Sequence, residues 1–198
     1  MESLPGTVVG IRAKDGVVLA SEKRLTYDGF VLSRNAKKLH LVTDRIGVGF
    51  AGLHGDANYV ARLLKLEAQN YELEVGRSIR VRSLAKVLSI ILYSFKLYPL
   101  MTEVVVGGVD DRGPSLFVLD AVGSLIEEKY AAIGSGAQVA LGVIEPSYRD
   151  DMALAEAREL AIKSLRTAIE RDVLSGDGID LLVIGGEGAR FEEYLIRR

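Results

Sequence analysis

Five stretches of the chain carry polar residues where apolar runs stop. Glu22 and Arg24 follow an apolar run, and Lys38 precedes another in Asn35-Ala36-Lys37-Lys38-Leu39. Ala51-Gly52-Leu53-His54-Gly55-Asp56 joins a strand-like run to a helical pattern, and Gly134-Ser135-Gly136 does the same later. Arg171-Asp172-Val173-Leu174-Ser175-Gly176 closes a long helical pattern. Carboxylates, a lysine and hydroxyls are the groups that acid–base and nucleophilic chemistry use. Taken singly, each stretch reads as a cap, a turn or a solvated charge.

Composition removes other chemistries. With no cysteine, disulfides, thiolate metal sites and cysteine nucleophiles are excluded. The two histidines, His40 and His54, leave little for a metal site, and a Ser-His-Asp triad would have to use one of them. Each reads more simply as a packing or surface residue. No glycine-rich dinucleotide motif opens a helix after the first strand, there is no P-loop lysine, and Gly185-Gly186-Glu187-Gly188 reads as a plain turn. Charged residues make up 26% of the 198 and nearly cancel, leaving a formal net charge of -2. That balance gives no pull toward nucleic acid or an anionic membrane. The start lacks a basic segment followed by an apolar one, and the longest apolar run, around 87–95, is too short to span a bilayer. The expectation is one soluble intracellular domain with no cofactor.

The elements that must position the polar residues show in the apolar period. Strands are expected at 7–13, 17–20, 30–33, 39–43 and 46–50, with turn signals at Lys14-Asp15-Gly16 and Asp44-Arg45. From Asp56, a good N-cap, apolar residues fall at helical spacing. A second helix, from about Ser83 to before Pro99, carries a stripe wide enough for a buried helix. Strands return at 103–108, 115–120 and 124–131, helices at 137–144 and 152–171, and strands at 179–184 and 194–196. Strand runs alternating with helix pairs predict an α+β sandwich of two antiparallel sheets, each covered outside by a helix pair.

In order along the chain, Lys14-Asp15-Gly16-Val17-Val18-Leu19-Ala20, Ala36-Lys37-Lys38-Leu39, the 51–56 junction, Gly107-Gly108-Val109-Asp110, Ala132-Ile133-Gly134-Ser135-Gly136 and Arg171-Asp172 through Ser175-Gly176 resemble proteasome β-type subunits, most closely the archaeal type. The likeness implies the four-layer αββα fold of N-terminal-nucleophile hydrolases. It implies a threonine endopeptidase complex in which a threonine freed by self-cleavage attacks the peptide carbonyl with its own α-amine as base. By the same resemblance, Lys38 and Glu22 attend the nucleophile, and Ser135, Asp172 and Ser175 surround the amine. Gly52 supplies the oxyanion N–H, while Leu25, Phe50 and His54 line the substrate pocket. Partners would be proteasome α subunits and other β subunits in stacked seven-membered rings, and unfolded proteins would be the particle's substrates, with no nucleic acid and no membrane. The setting would be cytoplasmic. An α-type subunit, which carries an extra N-terminal helix, and the shorter bacterial two-component relative fit less well.

One position departs from the pattern. The family's nucleophile lies four residues before the glycine of a Val-Gly-Ile segment; here that glycine is Gly10, and four residues back stands Gly6. Residues 1–6 then read as an N-terminal extension or propeptide before a single domain at 7–198. Two readings follow: a structural subunit that makes no cleavage of its own, or an active one with Thr7 as nucleophile after removal of residues 1–6. Alternation along a strand would turn the Thr7 hydroxyl away from Lys38.

Overall fold

The computed structural model describes residues 4–196. Two five-stranded antiparallel sheets stack face to face. The first has the order β10-β1-β2-β11-β12, from Tyr130–Gly134, Thr7–Ala13, Gly16–Glu22, Ile179–Gly185 and Gly188–Tyr194. The second runs β5-β6-β7-β8-β9, from Leu39–Thr43, Ile46–Gly52, Thr102–Asp110, Gly113–Leu119 and Leu125–Glu127. A hairpin of β3 (Leu25–Tyr27) and β4 (Phe30–Ser33) stands apart from both. Helices α1 (His54–Val75) and α2 (Val81–Ser94) cover the second sheet; α3 (Ala137–Ile144) and α4 (Leu154–Arg171) cover the first. This is the expected αββα sandwich.

Three apolar layers hold it together. On β7, Val104 and Val106 face the α1–α2 side while Val105 faces the other sheet. On β1, Val9 and Ile11 face α3 and α4, whereas Val8 faces the second sheet. Both faces of these strands are buried, which is why they read as unbroken apolar runs rather than alternating ones.

Four expectations are corrected. The strand expected at 124–131 is two strands in different sheets. Glu128 N–H still bonds Leu116 O of β8 at 3.0 Å, but the next carbonyl, of Lys129, accepts from Arg12 N–H at 2.9 Å on β1. The chain changes sheets between consecutive residues, and both halves have strand composition. Helix α1 starts at His54 with Leu53 at its N-cap, so Asp56 lies in the first turn, where its carboxylate accepts the Met101 N–H at 2.9 Å. The last strand is Gly188–Tyr194 rather than 194–196; its polar residues are held by Arg158–Glu192 and Lys23–Glu193 ion pairs instead of apolar packing. Helix α2 is one-sided: Leu84, Leu88 and Leu92 are fully buried, but Ile90 and Tyr93 are exposed. Among the described residues no helix is long and apolar enough to cross a membrane, and no group of three or more metal-ligating side chains is placed to hold an ion.

Candidate functional site

The polar residues singled out above converge at the start of β1. Glu22 ends β2 beside it, Lys38 precedes β5 on the opposite sheet, Gly52 ends β6, Ser135 sits between β10 and α3, and Asp172 and Ser175 lie in the turn from α4 to β11. Stacked sheets and one antiparallel neighbour bring together residues more than a hundred positions apart.

Glu22 is fully buried and has four partners. One oxygen accepts from Lys38 Nζ and from Thr7 N–H at 3.2 Å; the other accepts from Arg24 N–H at 2.7 Å and Gly176 N–H at 3.0 Å. The Lys38 ammonium is drawn against Gly6. A Cβ built on Gly6 would lie 2.6 Å from Lys38 Nζ and 3.0 Å from Glu22 Oε1. Position 6 therefore faces the lysine and the acid, and what it presents to them is a hydrogen atom.

Thr7 points the other way. Its Oγ1 lies 2.7 Å from Ser175 Oγ, and Ser175 Oγ and Ser135 Oγ each donate to Asp172 Oδ2 at 2.6 Å. A hydroxyl has one proton to give. Ser175 spends its own on Asp172, so Thr7 donates to Ser175. The chain of bonds continues through Ser135, whose Oγ accepts the Gly6 N–H at 3.1 Å. Thr7 is fully buried, with its N–H on Glu22 and its hydroxyl on Ser175.

Leu25, Phe50 and His54 do line a common space, with Pro5, Thr26, Lys38 and Gly52, but it measures only about 20 Å³. That is room for about one water molecule. Phe50 is packed edge-on by the His40 ring at 5.7 Å.

Arg24 is the residue whose part was not foreseen. Its Nε bonds Asp177 at 2.8 Å and its Nη1 bonds the Val173 carbonyl at 2.9 Å, tying the Asp172–Ser175 turn to the end of β2. Burial, the largest influence on Asp177, would raise its pKa; bonds from Arg24 and Arg34 outweigh it and hold the carboxyl below its ordinary value. Arginine two residues after an acid at a strand end was the visible signal, but its partners lie some 150 positions away.

Both histidines are held below their ordinary pKa of 6.5. Burial is the larger cause in each, reinforced by His54 beside His40 and by Lys38 beside His54. His40 Nε2 is buried without a hydrogen-bond partner among the described residues, as suits a neutral ring. The fold thus favours the neutral rings, and the unfolded chain takes up protons first as pH falls through 6.5. Stability is full above that value and declines toward the lower folded values. The urea midpoint should fall between pH 7 and pH 5.5, and a His40→Gln/His54→Gln variant should show a flatter profile over that window.

Comparison with known proteins agrees with this architecture. Residues 3–184 match the family of proteasome subunits. Over 194 residues the chain is 64% identical to proteasome subunit beta 1 of Desulfurococcus amylolyticus, covering 98% of this chain and 96% of that one. It is 62% identical to proteasome subunit beta 1 of Staphylothermus marinus over its full length and 93% of the relative's. Identity to proteasome subunit beta 2 of Pyrobaculum neutrophilum is 49%, over 96% of this chain and 94% of that one. A family match over most of the chain, with β subunits at these identities, places the sequence: it belongs to the proteasome subunit family, among the β type.

Proposed function

We propose that this chain is a β subunit of the proteasome core particle that builds the particle without a peptidase site of its own. It would pack in a seven-membered β ring, beside a catalytic β subunit and against a ring of α subunits, in a cytoplasmic particle that degrades unfolded proteins. Residues 1–6 would stay attached. One observation carries the reading: the position facing Lys38 and Glu22 is Gly6, which has no hydroxyl, while the neighbouring hydroxyl of Thr7 is committed to Ser175 on the opposite face of β1.

Displacement matters because catalysis is sensitive to position. A shift of one residue moves an atom ~3.3 Å along a strand, and misplacement by about 1 Å can cost ~100-fold in rate. In a particle assembled with α subunits, the intact mass of this chain should include residues 1–6, apart from removal of the initiator methionine. An electrophile that needs both a hydroxyl and an adjacent α-amine should leave it unlabelled. A labelled species beginning at Thr7 would overturn the reading and make Thr7 the nucleophile.

A further inference from the structure

The sequence holds three Asp-Gly pairs, at 15–16, 28–29 and 177–178. Such a pair can rearrange without a catalyst, because no side chain on the glycine shields its N–H from the aspartate carboxyl. Two of the three are locked. Asp15 Oδ1 accepts the Leu154 N–H at 2.8 Å, and a Cβ on Gly16 would lie 2.2 Å from the Ile184 carbonyl oxygen. Asp177 is held by Arg24 at 2.8 Å and by Arg34 at 2.5 Å. Asp28 and Gly29 form the exposed two-residue turn between β3 and β4, with Tyr27 paired to Phe30. Among the described residues no hydrogen bond or ion pair engages the Asp28 carboxylate, and nothing lies within 4 Å of where a Gly29 Cβ would stand.

The backbone of this turn suits the reaction. Asp28 has φ +47° and Gly29 φ +74°, both positive, as a type I′ hairpin turn requires. In a succinimide the ring ties the Asp28 Cβ to the main chain and sets ψ at about −120°, which with a positive φ is the first central residue of a type II′ turn. Types I′ and II′ both close two-residue hairpins. Rotating one peptide plane converts the first into the second, and glycine takes the following position in either at no steric cost. The fold already holds Asp28 at the φ that the ring needs.

We infer that Asp28–Gly29 is a site of spontaneous succinimide and isoaspartate formation in the folded chain, selected by its turn. The Gly29 nitrogen adds to Cγ of the protonated Asp28 carboxyl, and the amide proton leaves with the carboxyl hydroxyl as water. A second water then opens the ring. Attack at Cγ restores aspartate; attack at the main-chain carbonyl carbon frees an α-carboxylate and routes the chain through Cβ and Cγ. The isoaspartate product lengthens the turn by one methylene. A hairpin of two strands is marginally stable alone, and Leu25 and Thr26 of this one wall the small cavity beside Lys38 and Gly52. The inference is independent of the role proposed for the subunit.

The test ages the intact chain at neutral pH below its melting temperature, beside a parallel sample in urea. Isoaspartate at each of the three sites is read by methyl transfer from S-adenosylmethionine with an isoaspartyl methyltransferase, then by peptide mapping. A hydrogen bond to a carboxylate lowers its free share by roughly 10-fold or more, so in the folded chain Asp28 should lead Asp15 and Asp177 by that factor. In urea the three rates should converge. Asp28→Gly keeps a turn-forming pair and should abolish the signal at the tip alone. A folded chain in which Asp28 reacts no faster than the other two overturns the inference. A lead of the same size in urea overturns the part given to the turn, since the flanking residues would then set the rate.

Discussion

On the proposed reading, replacing Gly6 with threonine is expected to produce a cut after Pro5 and to give the chain peptidase activity. The groups such a side chain would meet are in place. A Cβ at position 6 would lie beside Lys38 Nζ and Glu22 Oε1, and the carbonyl to be attacked, that of Pro5, already accepts the Gly52 N–H. The new hydroxyl oxygen would add to the Pro5 carbonyl carbon. The C–N bond between Pro5 and the introduced threonine would break to leave an ester, and water would hydrolyse it to a Pro5 carboxylate and a free α-amine. That amine would lie against Ser135, which now accepts the Gly6 N–H. Two costs oppose the change. Lys38 Nζ must withdraw from 2.6 Å, which a flexible side-chain end can do. A residue with a Cβ at φ +96° is also strained, by about 1–2 kcal/mol. The second cost works in favour of cleavage. The angle φ at residue 6 exists only while its bond to Pro5 is intact, so cutting that bond releases the strain.

The measurement is intact mass, then turnover of a fluorogenic peptide by the assembled particle. Loss of a covalent nucleophile lowers kcat by up to ~10⁶ in another hydrolase, so the gain should be of several orders of magnitude. Proline before the junction fixes its own φ near ~-65°, which can hinder the approach of the hydroxyl. A Pro5→Gly/Gly6→Thr variant isolates that hindrance: cleavage in the double variant alone assigns the block to Pro5. Absence of cleavage in both would show that more than the hydroxyl is missing.

How much of this could be read from sequence follows from the range of the interactions. Strand Thr7–Ala13 and helix Ala137–Ile144 were legible to the residue because each is a local pattern bounded by turn residues. The glycine at position 6 is a local feature of the same kind, found by counting four residues back from Gly10. The hairpin Leu25–Tyr27 to Phe30–Ser33 was half seen, since its first strand has only three residues and a bulge between Leu25 and Thr26. What stayed hidden depends on partners far away in the chain. The Lys129 carbonyl bonds β1 rather than β8, Arg24 reaches Val173 and Asp177, and Pro5 reaches Gly52. Hydrogen-bond partners of that kind are set by how sheets stack, and composition around each residue is the same whichever partner it takes. The site residues carried over by resemblance do meet at one end of β1, yet only the folded chain gives Lys38 its place beside Gly6 and gives Thr7 to Ser175.

The second large effect is on stability. Glu22→Ala should destabilise the chain by about 3–5 kcal/mol, the usual result of removing one partner of a buried ion pair. For a domain of this length that corresponds to a fall in Tm of roughly 6–20 °C. The carboxylate is fully buried, and its loss strands the Lys38 ammonium, itself 8% exposed at the side chain, together with the N–H groups of Thr7, Arg24 and Gly176. Lys38→Met should cost less, because Glu22 keeps those three backbone donors. This ranking separates two explanations for an acid and a lysine beside Gly6. If the pair serves only chemistry, removing it should be neutral or stabilising, as substitution of strained catalytic groups commonly is. If it serves the fold, glutamate must outrank lysine, since Glu22 is where β2, the start of β1 and the Asp172–Ser175 turn are joined through one side chain. Thermal unfolding of the two single variants at pH 7 decides it. A Glu22→Ala variant as stable as the parent would mean that the acid is held in place by its surroundings and contributes nothing to holding them.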